Sequence, residues 1–379
     1  MAKEQIPITK EVVVWARMRA GLSIAEASKK FTAIEQWEAG TAFPTYPQLE
    51  RLAEELKVPI AVFFFPEPPK TPPIRESFRT LPDAEFDKIP RRISFLLRKA
   101  KALQLNLPEL TQGRNPATQM ITHELRFRDT GQLDDMATRV REFLGITLEQ
   151  QIDWPDDETA LKKWRKALQD VGVFVFKDAF KAEGYSGFSL YDEFFPIIYV
   201  NNSATKTRQT FTLFHELAHL LFHTSGIDTN EDRYIPSLPA HQKRIEVLCN
   251  SFAARFLVPE TAFVRAMKDL DRTEKSAELL AARFHVSREV IFRKFLDRDW
   301  IDEAHYARAI KRWAGQKKPS APGGNPYWTK ITYLGREYIS LAFSQYLQNR
   351  IDENQLAEYL DTKPKYINTL EGYFAQGVQ

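Results

Sequence analysis

The 379-residue sequence contains one cysteine, Cys249, so no disulfide can form within the chain. The N-terminal residues lack the charged-then-apolar pattern of a secretory signal, and the expected compartment is a reducing cytoplasm. Long apolar runs are missing as well. The longest, such as Val58 to Pro66, fall well short of the roughly 18 residues that a membrane helix needs, so no membrane partner is expected. Neither sign of charge dominates: Lys and Arg number 53, Asp and Glu 50, and the net +3 is too small for a chain-wide basic coat. Any contact with nucleic acid must come from a local patch. Hydrophobic residues at 43% and charged residues at 27% exclude wholesale disorder, a collagen-like repeat and a coiled-coil rod. No solenoid-type repeat is present. At about 150 residues per domain, the length predicts two to three domains.

What is present begins with capping signals. Ser23 with Glu26, Thr32 with Glu35 and Thr45 with Gln48 each place a hydroxyl three residues before an acid or amide, the pattern of a capping box. Three helix starts so close together predict short helices, with Gly21 and Gly40 as stops and Trp15, Leu22, Ile34, Trp37, Leu49, Leu52 and Leu56 as the apolar faces. A proline cluster from Pro59 to Pro73 then reads as a stiff linker. Residues 85–150 are helical by spacing, and Lys88, Arg91, Arg92, Arg98, Lys99 and Lys101 form a basic run with no acid inside it. That run is read either as a phosphate-contacting patch or as a solvated helix face. Strand-like segments follow at Val171–Phe176, Ser186–Tyr191 and Phe195–Asn201, then helices over 206–223 and 241–258, the second stopped by Pro259. The remainder is helical apart from a Gly- and Pro-rich stretch from Lys317 to Pro326.

The most informative segment is His215-Glu216-Leu217-Ala218-His219. Two histidines at i and i+4 lie one turn apart on a helix face, so both imidazoles reach one ion at the ~2.1 Å that zinc requires. Glu216 then stands beside the ion, placed to move a proton between water and a leaving amine. The alternative is a pair of hydrogen-bonded core histidines. The flanking residues make this helix apolar nearly all round, which favours a metal, because two histidines and a glutamate buried without partners are costly. A third ligand is needed. His223 lies about 12 Å of helical rise from His215, too far to share an ion, and is assigned to packing or to the outer shell. Glu246 on the next helix is the better ligand, with Asn250 one turn along to orient an imidazole. Cys249 reads as a small buried apolar residue or, alternatively, a soft ligand.

His215 to His223, followed by Glu246 to Asn250 and Phe252 to Pro259, resembles the ImmA/IrrE family of zinc metallopeptidases over roughly residues 160–262. The first 65 residues, with Trp37-Glu38-Ala39-Gly40 and Pro44-Thr45, resemble the helix-turn-helix of XRE-type regulators. The resemblance implies zinc held by His215, His219 and Glu246, Glu216 as general acid/base, and a protein substrate that is a DNA-binding repressor or a toxin-antitoxin partner. It also implies that the strand Phe195–Asn201 is the sheet edge along which an extended substrate aligns. The alternative is an XRE-type regulator or antitoxin that binds DNA and a partner protein and keeps the peptidase fold as a scaffold.

The helix over Ala33–Ala39 carries Glu35 and Glu38 and no cation, leaving Gln36 as the one base reader, with Arg91, Arg92, Arg98 and Lys99 as candidate phosphate contacts. The helix-turn-helix rhythms at 276–300 and 351–370 are expected to pack over the core rather than bind DNA. The expected fold is α+β and mostly helical: a helix-turn-helix bundle (1–68), a linker and helical region (69–155), a zincin-like core (156–262), a helical subdomain (263–318) and a helical C-terminal region (319–379).

Overall fold

The computed structural model describes residues 5–56, 58–69, 89–128, 132–229, 240–314, 316 and 324–376. Lys88, Pro72 and Pro73 of the proline cluster and most of the Lys317–Pro326 stretch lie outside the described residues. The chain is α+β and mostly helical, and its contacts divide it into two units, residues 1–76 with 87–98 and residues 77–86 with 99–379.

In the first unit, α1 (Lys10–Arg19), α2 (Ile24–Lys30), α3 (Ile34–Ala39) and α4 (Tyr46–Leu56) enclose Val12, Val13, Ile34, Trp37, Leu49 and Leu52. The Ser23–Glu26 capping box forms in full, and Gly40 ends α3 in the left-handed conformation that glycine adopts without strain. At Thr45 the returning half is present, the Gln48 amide oxygen accepting from the Thr45 N–H and hydroxyl. The Thr32–Glu35 box does not form. Ala33 is the cap of α3 and has no side-chain cap bond, because the main chain closes the turn through Ile34 N to Phe31 O and Glu35 accepts from Ser28 instead. Ser23→Ala is therefore expected to lower stability by about 1 kcal/mol and Thr32→Ala by a few tenths at most, read by urea unfolding of the full chain. Equal losses at the two positions would contradict this assignment of the caps.

Charge on α3 is also redistributed. Glu38 forms a two-pronged pair with Arg17, at 2.5 and 3.0 Å, so it is neutralised inside the unit rather than presented outward. Gln36 remains exposed. The basic run falls on α5 (Arg91–Leu110) and is not one open face. Arg91 donates to the Ala20 carbonyl, Arg92 lies against Phe95, and burial together with the neighbouring Arg19 lowers the Arg98 pKa to about 10. Lys99, expected on a phosphate, is held by Asp178 and Asp361 at 3.1 and 2.9 Å.

Among the described residues, the second unit is built on a sheet of four strands. β1 (Phe174–Asp178), β2 (Tyr185–Leu190), β3 (Ile197–Asn201) and β4 (Ile227–Thr229) lie in the order β1-β3-β2-β4; β1 and β3 are parallel, the other pairs antiparallel. Both faces are covered, which is why these strands read as continuous apolar runs instead of alternating ones. One face meets Trp164 of the helix Asp157–Asp170 and the helix Lys206–Leu221. The other carries Phe176, Phe188 and Tyr199, with Phe188 stacked on its register partner Tyr199 at 5.0 Å and Tyr338 of the C-terminal helices edge-on to Phe176 at 5.2 Å.

The order corrects the expectation for Phe195–Asn201. β3 is an interior strand, because β1 pairs to one side of it and β2 to the other; among the described residues the edges are β1 and β4. The helix pair Glu274–Phe284 and Arg288–Leu296 does have a three-residue turn, with His285 left-handed and bonded to Asp157 and the Trp154 carbonyl. The second helix is largely buried in the core, and its Lys294 pairs with Glu260. Among the described residues, no single helix is long and apolar enough to cross a membrane.

Lys177 on β1 is buried, 5% exposed, and burial together with Arg165 and Lys206 lowers its pKa to about 6. Between pH 6 and 10.5 the unfolded chain binds a proton that the folded one does not, so this group makes stability rise with pH over that window. Lys177→Met is expected to stabilise the protein at pH 7 by roughly 1–3 kcal/mol, with the gain vanishing as the pH approaches 10.5. Melting curves across that range test it; a gain independent of pH would refute the assignment.

Candidate metal centre

The site is built on the helix α10 (Lys206–Leu221), capped by the Thr205 hydroxyl on Arg208 N. Twelve of its sixteen residues are buried, because the sheet, the helix Asp157–Asp170 and the next helix, α11 (Ala240–Leu257), surround it. His215, Glu216 and His219 are among the twelve, and α11 delivers Glu246 from the side.

His215 Nε2 and His219 Nε2 face each other at 3.2 Å; His219 Nε2 is 3.3 Å from Glu246 Oε1, and His215 Nε2 is 3.5 Å from Glu246 Oε2. Four bonds of ~2.1 Å in a tetrahedron have ligand–ligand edges of about 3.4 Å, so these three separations suit a single zinc ion. Two buried oxygens, Glu216 Oε1 and Glu246 Oε2, have no hydrogen-bond partner. A cation held by the two imidazoles would satisfy Glu246 Oε2 and leave Glu216 Oε1 open beside it, and the donor set fits zinc.

The outer contacts fix the tautomers. Asn250 Oδ1 lies 3.0 Å from His215 Nδ1, so in the neutral ring, the form that binds a metal, Nδ1 carries the proton and Nε2 is left with its lone pair. Thr224 Oγ1 lies 3.4 Å from His219 Nδ1 and plays the same part there. Thr224 had no signal in the sequence beyond its proximity to the motif. His223 is not an outer partner of either ligand. The helix ends at Leu221, His223 turns into a left-handed conformation, and its ring stacks on Tyr191 at 4.7 Å with Nε2 towards the Thr122 carbonyl. Cys249 is fully buried, and burial raises its thiol pKa well above the usual value, as expected of an inert apolar position rather than a thiolate.

Electrostatics favour a cation. Burial alone would lower the His215 pKa, but Asp228, Glu246 and Glu216 overcome it and raise the value to about 9. Burial raises the Glu216 pKa, opposed by the two histidines, whereas His219 and His215 hold Glu246 below the usual carboxylate range against its own burial. β4 closes the site from the sheet side. A Cβ on Gly226 would stand 2.5 Å from the His219 ring, so only glycine lets the chain pass there. Asp228 accepts from Thr212 at 2.9 Å and from Arg208 through both oxygens. A cavity of about 770 Å³ beside Asp134, Arg141, Arg255 and Phe256 shares no residue with this cluster.

Two histidines one turn apart and a glutamate from the following helix form a buried donor set that could hold a metal ion, with a second carboxylate beside it. Residues 168–295 match the model of a peptidase family described as the IrrE N-terminal-like domain. The matched segment contains the whole cluster. A solved structure of a Mycobacterium tuberculosis transcriptional regulator is similar at 20% identity with a TM-score of 0.29, over 50% of this chain and 50% of that one. The match thus spans half the length of the regulator. No curated protein matches the sequence.

Proposed function

We propose that the chain is a zinc-dependent endopeptidase acting on a partner protein, with a DNA-binding repressor or a toxin-antitoxin partner as the substrate class. The observation that carries the reading is the set of separations of 3.2, 3.3 and 3.5 Å among three buried ligand side chains, with the open oxygen of Glu216 beside them. Zinc held by His215, His219 and Glu246 supplies the Lewis acidity that activates water near neutral pH and polarises a scissile carbonyl. Glu216 Oε1 takes the proton of the attacking water and returns it to the departing amide nitrogen, so that the amine leaves neutral. Asn250 and Thr224 keep the imidazoles aimed. β4 ends the sheet next to His219 among the described residues, and an extended substrate adds along that edge, where alternate side chains turn towards the site. DNA contact is no part of this reading, because α3 exposes Gln36 without a cation and Lys99 is taken up by carboxylates.

The test compares new protein N-termini in host cells expressing the chain or its Glu216→Gln variant. Fragments that appear only with the unaltered chain support the reading and name the substrate. Identical N-termini in both overturn it in favour of a binding scaffold.

A further inference from the structure

One buried contact at the site is explained neither by the ligand set nor by the sheet. Ser189 on β2 is fully buried, and its hydroxyl donates to Glu216 Oε2 at 2.6 Å, the length of a charge-assisted O–H···O⁻ bond. The same hydroxyl oxygen accepts the Gly226 N–H at 3.2 Å. Its acceptor side is therefore engaged by Gly226, the residue before β4, and its single proton goes to the carboxylate. Ser189 N in turn donates to Gly226 O at 3.0 Å, so the backbone that carries the hydroxyl is pinned to the residue that leads into β4. The strand also runs close beneath Glu216: a Cβ on Gly187 would meet Thr212 at 2.4 Å and Glu216 Cγ at 3.9 Å.

The terminal torsion of a glutamate is broad and roughly two-fold, so the side-chain rotamer alone does not decide which oxygen faces the metal position. We infer that Ser189 is a positioning residue: by holding Oε2 it presents Oε1, and only Oε1, as the proton-accepting oxygen of Glu216. The unpartnered state of Oε1 in a buried setting agrees, since a carboxylate free to turn would share its one donor between two equivalent oxygens. This deepens the peptidase reading and rests on it for its purpose, but the geometry is testable without a protein substrate.

The probe is acetohydroxamic acid, which chelates zinc through two oxygens and gives up its acidic proton to a neighbouring base. Its affinity for the zinc-loaded full-length chain is measured by calorimetry for Ser189→Ala, Glu216→Ala and the double variant, with zinc content read in each. Ser189→Ala deletes one atom and leaves the backbone bond from Ser189 N to Gly226 O in place, so the fold is retained. The expected result is about a tenfold loss of affinity from Ser189→Ala when Glu216 is present, and less than a twofold change when Glu216 is already alanine. An equal loss in both backgrounds, no loss beside Glu216, or departure of zinc from the Ser189→Ala protein overturns the inference. If the cycle behaves as expected while no protein is cleaved, the peptidase reading fails and the positioning role of Ser189 stands.

Discussion

Glu216→Gln is expected to lower peptide-bond hydrolysis by about 10²- to 10⁴-fold, the range for loss of a positioned proton-transfer group, while zinc stays bound at one per chain. Glutamine has nearly the volume of glutamate and keeps an oxygen that can accept from Ser189 at the place of the present 2.6 Å bond. Its amide nitrogen then occupies the position of Oε1, where it donates and cannot take a proton. The three ligand side chains are untouched, so metal content separates a chemical defect from a damaged site. A fluorogenic peptide spanning the cleaved bond, once mapped, gives the rate, and elemental analysis gives the zinc. Zinc-loaded Glu216→Gln that hydrolyses as fast as the unaltered chain would remove Glu216 from the mechanism.

Glu246→Ala is expected to have the opposite signature: metal lost first, and activity as a consequence. Only Glu246 supplies a negative charge directly on the ligand set, through oxygens 3.3 and 3.5 Å from the two Nε2 atoms. Removing it leaves two neutral imidazoles as donors, with the third ligand and the charge that offsets the ion both gone. Loss of an outer partner such as Asn250 typically weakens a metal site by roughly 10–100-fold, so Asn250→Ala is expected in that range and Glu246→Ala beyond it. Competition with a chromophoric chelator measures both. A second readout is thermal: a ligand present at 1,000 times its Kd stabilises the folded state by about 4 kcal/mol, so zinc raises the melting temperature of the unaltered chain and not of Glu246→Ala. An undiminished zinc affinity in Glu246→Ala would show that the carboxylate is not a ligand.

Much of the site was legible in one dimension because its chemistry is local. His215, Glu216 and His219 lie within five residues, and helical periodicity alone puts the two imidazoles on one face. The strands were visible as apolar β-branched and aromatic runs, since a sheet covered on both sides needs no alternation. Glu246 and Asn250 were readable as a pair because they too sit one turn apart on a helix. The edge strand was not readable. β4 has three residues, Ile227–Thr229, too few for any pattern, and strand order depends on pairings between segments distant in the chain. Thr32 failed as a cap for a related reason: the hydroxyl and acid had the right spacing, but the main chain closed the turn first and Ser28 engaged the acid.

The sequence by itself determined the helix that carries His215, Glu216 and His219, the type of donor atoms it offers a metal and the mostly helical α+β class, because each follows from the identity of near neighbours and the 3.6-residue period. Only the tertiary structure decided which carboxylate oxygen is free, which strand lies at the edge, and which charges are already neutralised. Ser189 is 27 residues from Glu216, Asp178 is 79 from Lys99, and Glu38 is 21 from Arg17. Such contacts depend on where packed elements bring side chains together in space, and no spacing along the chain encodes that.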